Sequence, residues 1–423
     1  MSNKPQLQTL KGFRDFLPQE KRLRDEVIDK IKKVFELYGF EPIETPTLEY
    51  ASVLQGKYGE EADKLMYTFK DKGDREVGLR YDQTVPTARF LAQHQHELTK
   101  FPKRYQIQNV FRAENTQAGR YREFLQMDCD IFGTKSNLVD AEILAVFYYS
   151  YIALGLSDFI ISLNDRQQLV ELINPFETAV VSTKSIIQTI DKLDKIGRDG
   201  VIDDLIKKGL NAEKAEELLN KLKETTPSDN LKKIMALSIE LGVPVKAIKY
   251  EPTLARGLDY YTGIIFEGKD SEYKSGSLGG GGRYDDLISQ LGGPNISAVG
   301  FAIGFDRTLE LLKSKKLIST DLSQTSALVT IFDESVVKHS LKTANLLRKA
   351  GINTEIYPEF EKLGKQLKYA SDRNIEYVII IGPEEILQGK IKVKNLSTQI
   401  EEIMLINDFI NRLKNKIKLP HLI

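Results

Sequence analysis

The sequence predicts an α+β fold: an antiparallel sheet flanked by helices, a helical insertion, and a smaller C-terminal α/β domain. Three observations carry this. Around residues 103–132, β-prone runs are separated by a polar, glycine-containing loop, the pattern of antiparallel strands. From about residue 166 to 250 the texture turns charged and helical, as in DKLDKIGRDGVIDDLIKKGLNAEKAEELLNKLKE. Beyond residue 325, strand and helix alternate, which argues a small α/β domain. A chain of 423 residues is also long for a single core. The expected division is 1–325, with its insertion at 166–250, and 326–423.

The elements follow in order. Residues 19–38 place Leu23, Val27, Ile31, Val34, Phe35 and Tyr38 at helical spacing, and Gly39 closes that helix. GFEPIETPTLE is a bent, extended segment, because Pro42 and Pro46 break any helix. LMYTF and VGLRY, joined by KDKGDR, read as a hairpin over 65–81. RYQIQNVFR and YREFLQMDCDIF are longer strands joined by AENTQAG. Residues 140–155 form a helix and FIISL a strand; strand and glycine texture returns over 254–304, before a helix in GFDRTLELLKSKK. LISTDLSQT, residues 317–325, is a linker. The C-terminal domain runs as strand SALVTIF, a helix closed by Gly351, strand NTEIY, helix EKLGKQLKYASDRN, strand EYVIIIG, a hairpin from KIKVKNL and QIEEIML, and a last helix.

Composition excludes several function classes. Lysine plus arginine equals aspartate plus glutamate, 60 against 60, so global charge does not point to nucleic acid. A nucleic-acid binder with this balance needs a local basic surface. The single cysteine, Cys129, rules out an internal disulfide and a cysteine-built zinc site, and fits a reducing cytoplasm. No apolar run reaches the length of a membrane span, and MSNKPQLQTLKG has no signal-peptide core. His94 and His96 form an HxH pair that reads as solvated helix residues, since i and i+2 face apart.

Residues that can carry chemistry are of three kinds. Arg112, Arg256 and Arg307 each sit among apolar residues, where a lone charge is uncommon. Each alone reads as a structural ion pair. Together, beside the glycine run SLGGGGRYDDL, they favour an anionic ligand such as a polyphosphate, which the arginine fork suits. The glycine run lacks GK[ST] and a clean GxGxxG. It is either a place of close approach by a ligand or strand, or a structural bend. Asp82 and Asp130 lie in strand contexts and face either water or a pocket. Gln126 shares the parity of Asp130, as does Phe124, which is a core residue or a platform for a flat ring. Cys129 has the opposite parity and reads as a buried small residue. With no Ser–His–Asp grouping, positional and electrostatic catalysis on a phosphate compound fits this inventory.

The order of motifs resembles the histidyl-tRNA synthetases, class II aminoacyl-tRNA synthetases. KGFRDFLP resembles the family's opening, GFEPIETPTLE its motif 1, VFRAENTQAGRYREFLQMDCDIFG its motif 2, and AVGFAIGFDRTLELL its motif 3. LARGLDYYTG and SLGGGGRYDDL are similar to two segments particular to histidine enzymes. The resemblance implies ATP-dependent activation of L-histidine to histidyl-adenylate and transfer to the 3′-end of tRNA(His). Mg²⁺ would come with ATP, with no prosthetic group and no protein metal site assigned. Motif 1 would build a homodimer interface, and the C-terminal domain would read the anticodon.

The implied roles map onto this chain as follows. Arg112 would bind the α-phosphate and the histidine carboxylate, Arg307 the γ-phosphate, and Arg256 the α-phosphate. Glu114, Arg120 and Phe124 would hold adenine and phosphates. Asp82, Thr84 and Gln126 would take the ammonium end. Asp130 and Tyr261 would grip the imidazole nitrogens in a pocket shaped by Tyr260. Where many bacterial members have glutamate, this chain has aspartate at 82 and 130, as in eukaryotic and archaeal enzymes. The alternative is an inactive, synthetase-like regulatory or tRNA-sensing protein, against which the intact arginines argue. On this reading the phosphate of ATP, rather than any group of the chain, is the partner of Arg256.

Overall fold

Residues 7–56, 63–116, 119–256, 260–274, 276–318 and 325–417 are described by the computed structural model. The chain divides into two compact units, residues 1–16 with 24–318, and residues 17–23 with 319–423.

The first unit is built on an eight-stranded sheet. Its strands are β1 (Glu41–Pro42), β5 (Lys103–Phe111), β6 (Glu123–Phe132), β7 (Ile160–Asp165), β8 (Ile248–Tyr250), β9 (Ile264–Lys269), β10 (Gly279–Arg283) and β11 (Ala298–Gly304). Their order is β1-β5-β6-β11-β10-β9-β7-β8. Among the described residues, only the two edge strands, β1 and β8, pair in parallel. The edge position of β1 tolerates Pro42, which lacks an N–H for a ladder. A separate sheet joins β2 (Leu48–Tyr50) to the hairpin β3 (Thr68–Lys70) and β4 (Glu76–Leu79). The GFEPIETPTLE segment is thus extended, as expected, and contributes to two sheets.

Period-two alternation gives the large sheet two different faces. Cys129 pairs in register with Phe301 and points to the apolar face. There Phe301 meets Phe35 of the helix Pro18–Leu37 and Phe147 of the helix Asn137–Ile152. Phe147 also meets Tyr151, Phe159 and Phe266 and is fully buried. Truncating such a side chain to alanine costs about 3–5 kcal/mol. Cys129 is buried there, and burial pushes its thiol well up, as befits a packing residue. The opposite face carries Gln126, Asp128 and Asp130.

The helical insertion is present, with helices Arg166–Ile173, Thr183–Ile190, Leu193–Lys207, Ala212–Glu224 and Asp229–Glu240. Asp165, Ser182, Asn211 and Ser228 cap four of them, each accepting from a first-turn N–H, worth about 1 kcal/mol apiece. Leu169, Ile187, Val201, Leu205, Leu218 and Leu222 give the insertion a core of its own. The helix Thr84–His94 ends at His94, so His96 lies in the following turn rather than on a helix. Among the described residues no helix is long and apolar enough to cross a membrane.

The second unit has a five-stranded sheet of β12 (Ala327–Val329), β13 (Thr354–Ile356), β14 (Tyr377–Ile380), β15 (Ile391–Asn395) and β16 (Glu401–Met404). Their order is β13-β12-β14-β15-β16. The strands β13 and β14 flank β12 in parallel, and β14, β15 and β16 are antiparallel. Alternation again separates two faces. Ala327 and Val329 pack with Ala344, Leu347, Phe409 and Leu413; Leu328 packs with Ala370, Ile375 and Val378. The expected hairpin and strand–helix alternation are both there. Most of the 317–325 linker lies outside the described residues.

Candidate active site

The polar face of the sheet floors a cavity of about 690 Å³. All the expected site residues line it: Asp82, Thr84, Arg112, Glu114, Arg120, Phe124, Gln126, Asp130, Arg256, Tyr260, Tyr261 and Arg307. They come from far apart in sequence because register stacks them. Across β5, β6, β11 and β10, one row runs Arg104, Asp130, Gly300, Gly282, and the next runs Gln106, Asp128, Ala302, Gly280. Glu267 on β9 extends the second row.

Each arginine is held differently. Arg112 donates from Nε to the Tyr81 carbonyl at 3.1 Å, and its guanidinium lies over the rings of Tyr81 and Phe124, 4.3 and 5.2 Å from their centroids. Arg307, in the first turn of the helix Phe305–Ser314, donates to the Ser277 carbonyl at 3.0 Å. Burial, with Arg120 and Arg112 beside it, pushes the Arg307 guanidinium down. Cations crowded in this way favour an anionic ligand. Arg120 itself sits 3.6 Å from Glu114.

Arg256 has a partner within the chain, which corrects the expectation that only a phosphate would supply one. Its Nη1 donates to Glu267 Oε1 at 3.0 Å and its Nη2 to the Tyr261 hydroxyl at 3.4 Å. Burial opposes its charge, yet Tyr261 and Glu267 hold the guanidinium up. Its φ of 52° is unusual for a side chain of this size. The backbone is pinned there: Asn164 donates to the Leu254 carbonyl at 2.8 Å, and Arg166 to the Ala255 carbonyl at 2.8 Å. Gly257, Leu258 and Asp259 of the LARGLDYY motif lie outside the described residues.

The glycine run forms β10, and close approach is its reason. A Cβ on Gly280 would stand 2.6 Å from Arg256 Nη1, and one on Gly282 would stand 2.7 Å from the Tyr261 ring. A Cβ on Gly300 would run into the Asp130 carboxylate. Bare backbone is therefore what lets these three side chains lie flat on the sheet.

Asp130 is engaged by the chain itself. Arg104 lies 2.6 Å from its Oδ2, and the Tyr284 hydroxyl donates to its Oδ1. Burial pushes the Asp130 carboxyl up, against the pull of Arg104 and the Tyr284 hydrogen bond. Asp82 Oδ1 accepts from the Val85 N–H at 3.2 Å, at the start of the helix that carries Thr84. Gln83 ties that helix to the floor, donating to the Gln108 and Gln126 carbonyls at 3.0 and 2.9 Å.

Sequence reasoning missed Arg104, Asp128, Glu267 and Tyr284. The parity that joins Gln126 to Asp130 includes Asp128, so that signal was present. Arg104 and Glu267 needed strand register. Also missed were Gln188, Asp191, Lys192, Lys195 and Lys208, which the insertion brings to the cavity wall. Burial pushes the Asp191 carboxyl up, and Arg256 pulls it back down.

Comparisons with known proteins agree with this architecture. The histidyl-tRNA synthetase family model matches residues 12–308, and an anticodon binding domain model matches residues 324–416. A protein of Cytophaga hutchinsonii called histidine–tRNA ligase is 39% identical over 430 residues, covering 91% of this chain and 94% of that protein. Its counterpart from Rhodopirellula baltica is 39% identical over 417 residues, covering 93% and 94%. The crystal structure of histidyl-tRNA synthetase from a Nostoc species superposes with a TM-score of 0.84 at 30% identity, over 98% of this chain and 100% of that one. With the motifs in one cavity and the match running through both units, the chain belongs to the histidyl-tRNA synthetase family.

Proposed function

We infer that the chain is a histidine–tRNA ligase, which activates L-histidine with ATP and transfers it to the 3′-end of tRNA(His). The reading is carried by the convergence of Arg112, Arg256 and Arg307 on one cavity whose floor is lined with carboxylates. Cations along one side suit a polyphosphate, and acceptors below suit an amino acid's N–H groups.

In the first step the histidine carboxylate attacks the α-phosphorus of ATP, pyrophosphate leaves, and histidyl-adenylate remains. Negative charge builds on the α-phosphate oxygens, where Arg112 and Arg256 stabilise it as it develops. Both are already fixed, Arg112 over two rings and Arg256 by Glu267, so little reorganisation accompanies the step. Arg307 takes the γ-phosphate; Glu114, Arg120 and Phe124 hold the adenine and phosphates, with Phe124 stacking on the base. Magnesium is part of the substrate, the counter-ion that ATP brings. Asp82, Thr84 and Gln126 receive the ammonium end, and Asp130 and Tyr261 the imidazole, beside Tyr260. In the second step the 3′-terminal adenosine hydroxyl of tRNA(His) attacks the acyl carbon of histidyl-adenylate, the acyl–phosphate bond breaks, and AMP leaves.

The C-terminal unit reads the anticodon, whose unpaired bases can be splayed out and recognised on their edges. The working form is a cytoplasmic homodimer joined through the GFEPIETPTLE segment. The test is ATP–pyrophosphate exchange with each of the 20 amino acids, followed by charging of a tRNA(His) transcript. Exchange should depend on histidine alone; exchange driven by another amino acid, or none at all, defeats the reading.

A further inference from the structure

Among the groups on the cavity floor, one carboxylate has no role in the account above. Asp128 is 2% exposed and lies on the same face of β6 as Gln126 and Asp130. Its Oδ1 has no hydrogen-bond partner among the described residues, and neither does Gln126 Oε1 two positions earlier. A buried carboxylate with an unsatisfied oxygen costs stability. Its neighbours across the strands, Gln106 and Ala302, donate no hydrogen bond to that oxygen. Burial pushes the Asp128 carboxyl well up; Arg104 and Arg112 pull it down, and Asp130 and Asp82 push it further up.

Two buried, unpartnered acceptors, side by side and facing a cavity, call for a ligand with several donors on one atom. A primary ammonium has three N–H donors and no acceptor. Asp128 lies on β6 between Gln126, assigned to the ammonium end, and Asp130, assigned to the imidazole, and it also feels Asp82 and Arg112, assigned to the ammonium and carboxylate. Asp130, at the imidazole end, is already engaged by Arg104 and Tyr284.

We propose that Asp128 is a further specificity-determining residue, whose free carboxylate oxygen, together with Gln126 and Asp82, accepts from the α-ammonium group of the bound amino acid. This rests on the placement of the amino end at Asp82 and Gln126 made above. Asp128 adds a further acceptor at that end, and a bound ammonium favours its ionised form. The cavity therefore selects a free amino group as well as an imidazole, and disfavours imidazole compounds that lack one.

The experiment compares Asp128→Asn with the parent enzyme in pyrophosphate exchange, in inhibition by 3-(imidazol-4-yl)propionate, which lacks the amino group, and in thermal unfolding. The KM for histidine should rise roughly 10–100-fold, the scale of a charged hydrogen bond. The KM for ATP and the inhibition constant of the des-amino analogue should stay within about twofold, and Tm should hold or rise, because the amide matches the buried carboxyl in shape and has no charge to bury beside Asp82 and Asp130. An unchanged histidine KM overturns the proposal. So does an equal weakening of histidine and the analogue, or a fall in Tm, which mark a structural role. Should Asp128→Asn not fold, Asp128→Ala is read by the same criteria, and failure of both to fold overturns the proposal as well. Asp82→Asn and Gln126→Ala run alongside. If they leave the histidine KM unchanged while the parent enzyme exchanges histidine, the placement of the amino end is wrong; if they raise it and Asp128→Asn does not, Asp128 alone is excluded.

Discussion

Arg104 and Asp130 pair at 2.6 Å on neighbouring strands under the cavity, each only 3% exposed. Asp130 thus has a structural partner as well as the substrate-binding role proposed for it. Asp130→Ala should cost about 3–5 kcal/mol in urea unfolding, because it strands the Arg104 charge. Combining it with Arg104→Met should recover most of that stability without recovering histidine activation. Full recovery of exchange in the double variant would show that the carboxylate does not touch substrate.

Arg256→Ala should lower adenylate formation by about a hundredfold or more, the scale of losing one electrostatic stabiliser. Glu267→Gln keeps the arginine but weakens the contact that orients it, and should cost less. Pyrophosphate exchange ranks the two, and near-normal exchange in Arg256→Ala would remove that residue from the mechanism.

Gly280→Ala should impair activation and stability together. Its new methyl group meets both Arg256 and the Phe266 carbonyl, and overpacking of this kind costs about 1–3 kcal/mol. A variant with parental Tm and parental histidine KM would show that the floor can yield. Gly292→Ala, where nothing lies within 4 Å, has a φ of 79° and serves as a control for backbone strain alone.

Removing residues 326–423 should impair charging of tRNA(His) far more than pyrophosphate exchange. Equal losses in the two assays would argue against anticodon reading by that unit.

Much of this site is legible along a single strand. Parity puts Gln126 and Asp130 on one face and Cys129 on the other, and the structure keeps that division. The same rule reaches Asp128, which lacks a motif to draw attention to it. Arg104 and Glu267 are different. Each is an ordinary charged residue of a strand until its neighbours across the sheet are known, and register depends on contacts that no local pattern encodes. The glycines of β10 show the limit most clearly. Their spacing announces that something comes close, but not that Arg256 and Tyr261 of the same chain are what arrives. Histidine itself is named by motif resemblance, since the three arginines alone specify only an anion.

The strand Gly279–Arg283 also bears on how the cavity can change. Four of its five residues have no side chain to exchange, and the Cβ positions at Gly280 and Gly282 are already occupied by Arg256 and Tyr261. An inhibitor seated against that backbone meets a surface that point mutation cannot carve away, only obstruct, and obstruction displaces groups proposed to act in activation. Escape from such a compound has to arise in the walls, at positions such as the insertion's Lys195, where a side chain can vary without disturbing the sheet.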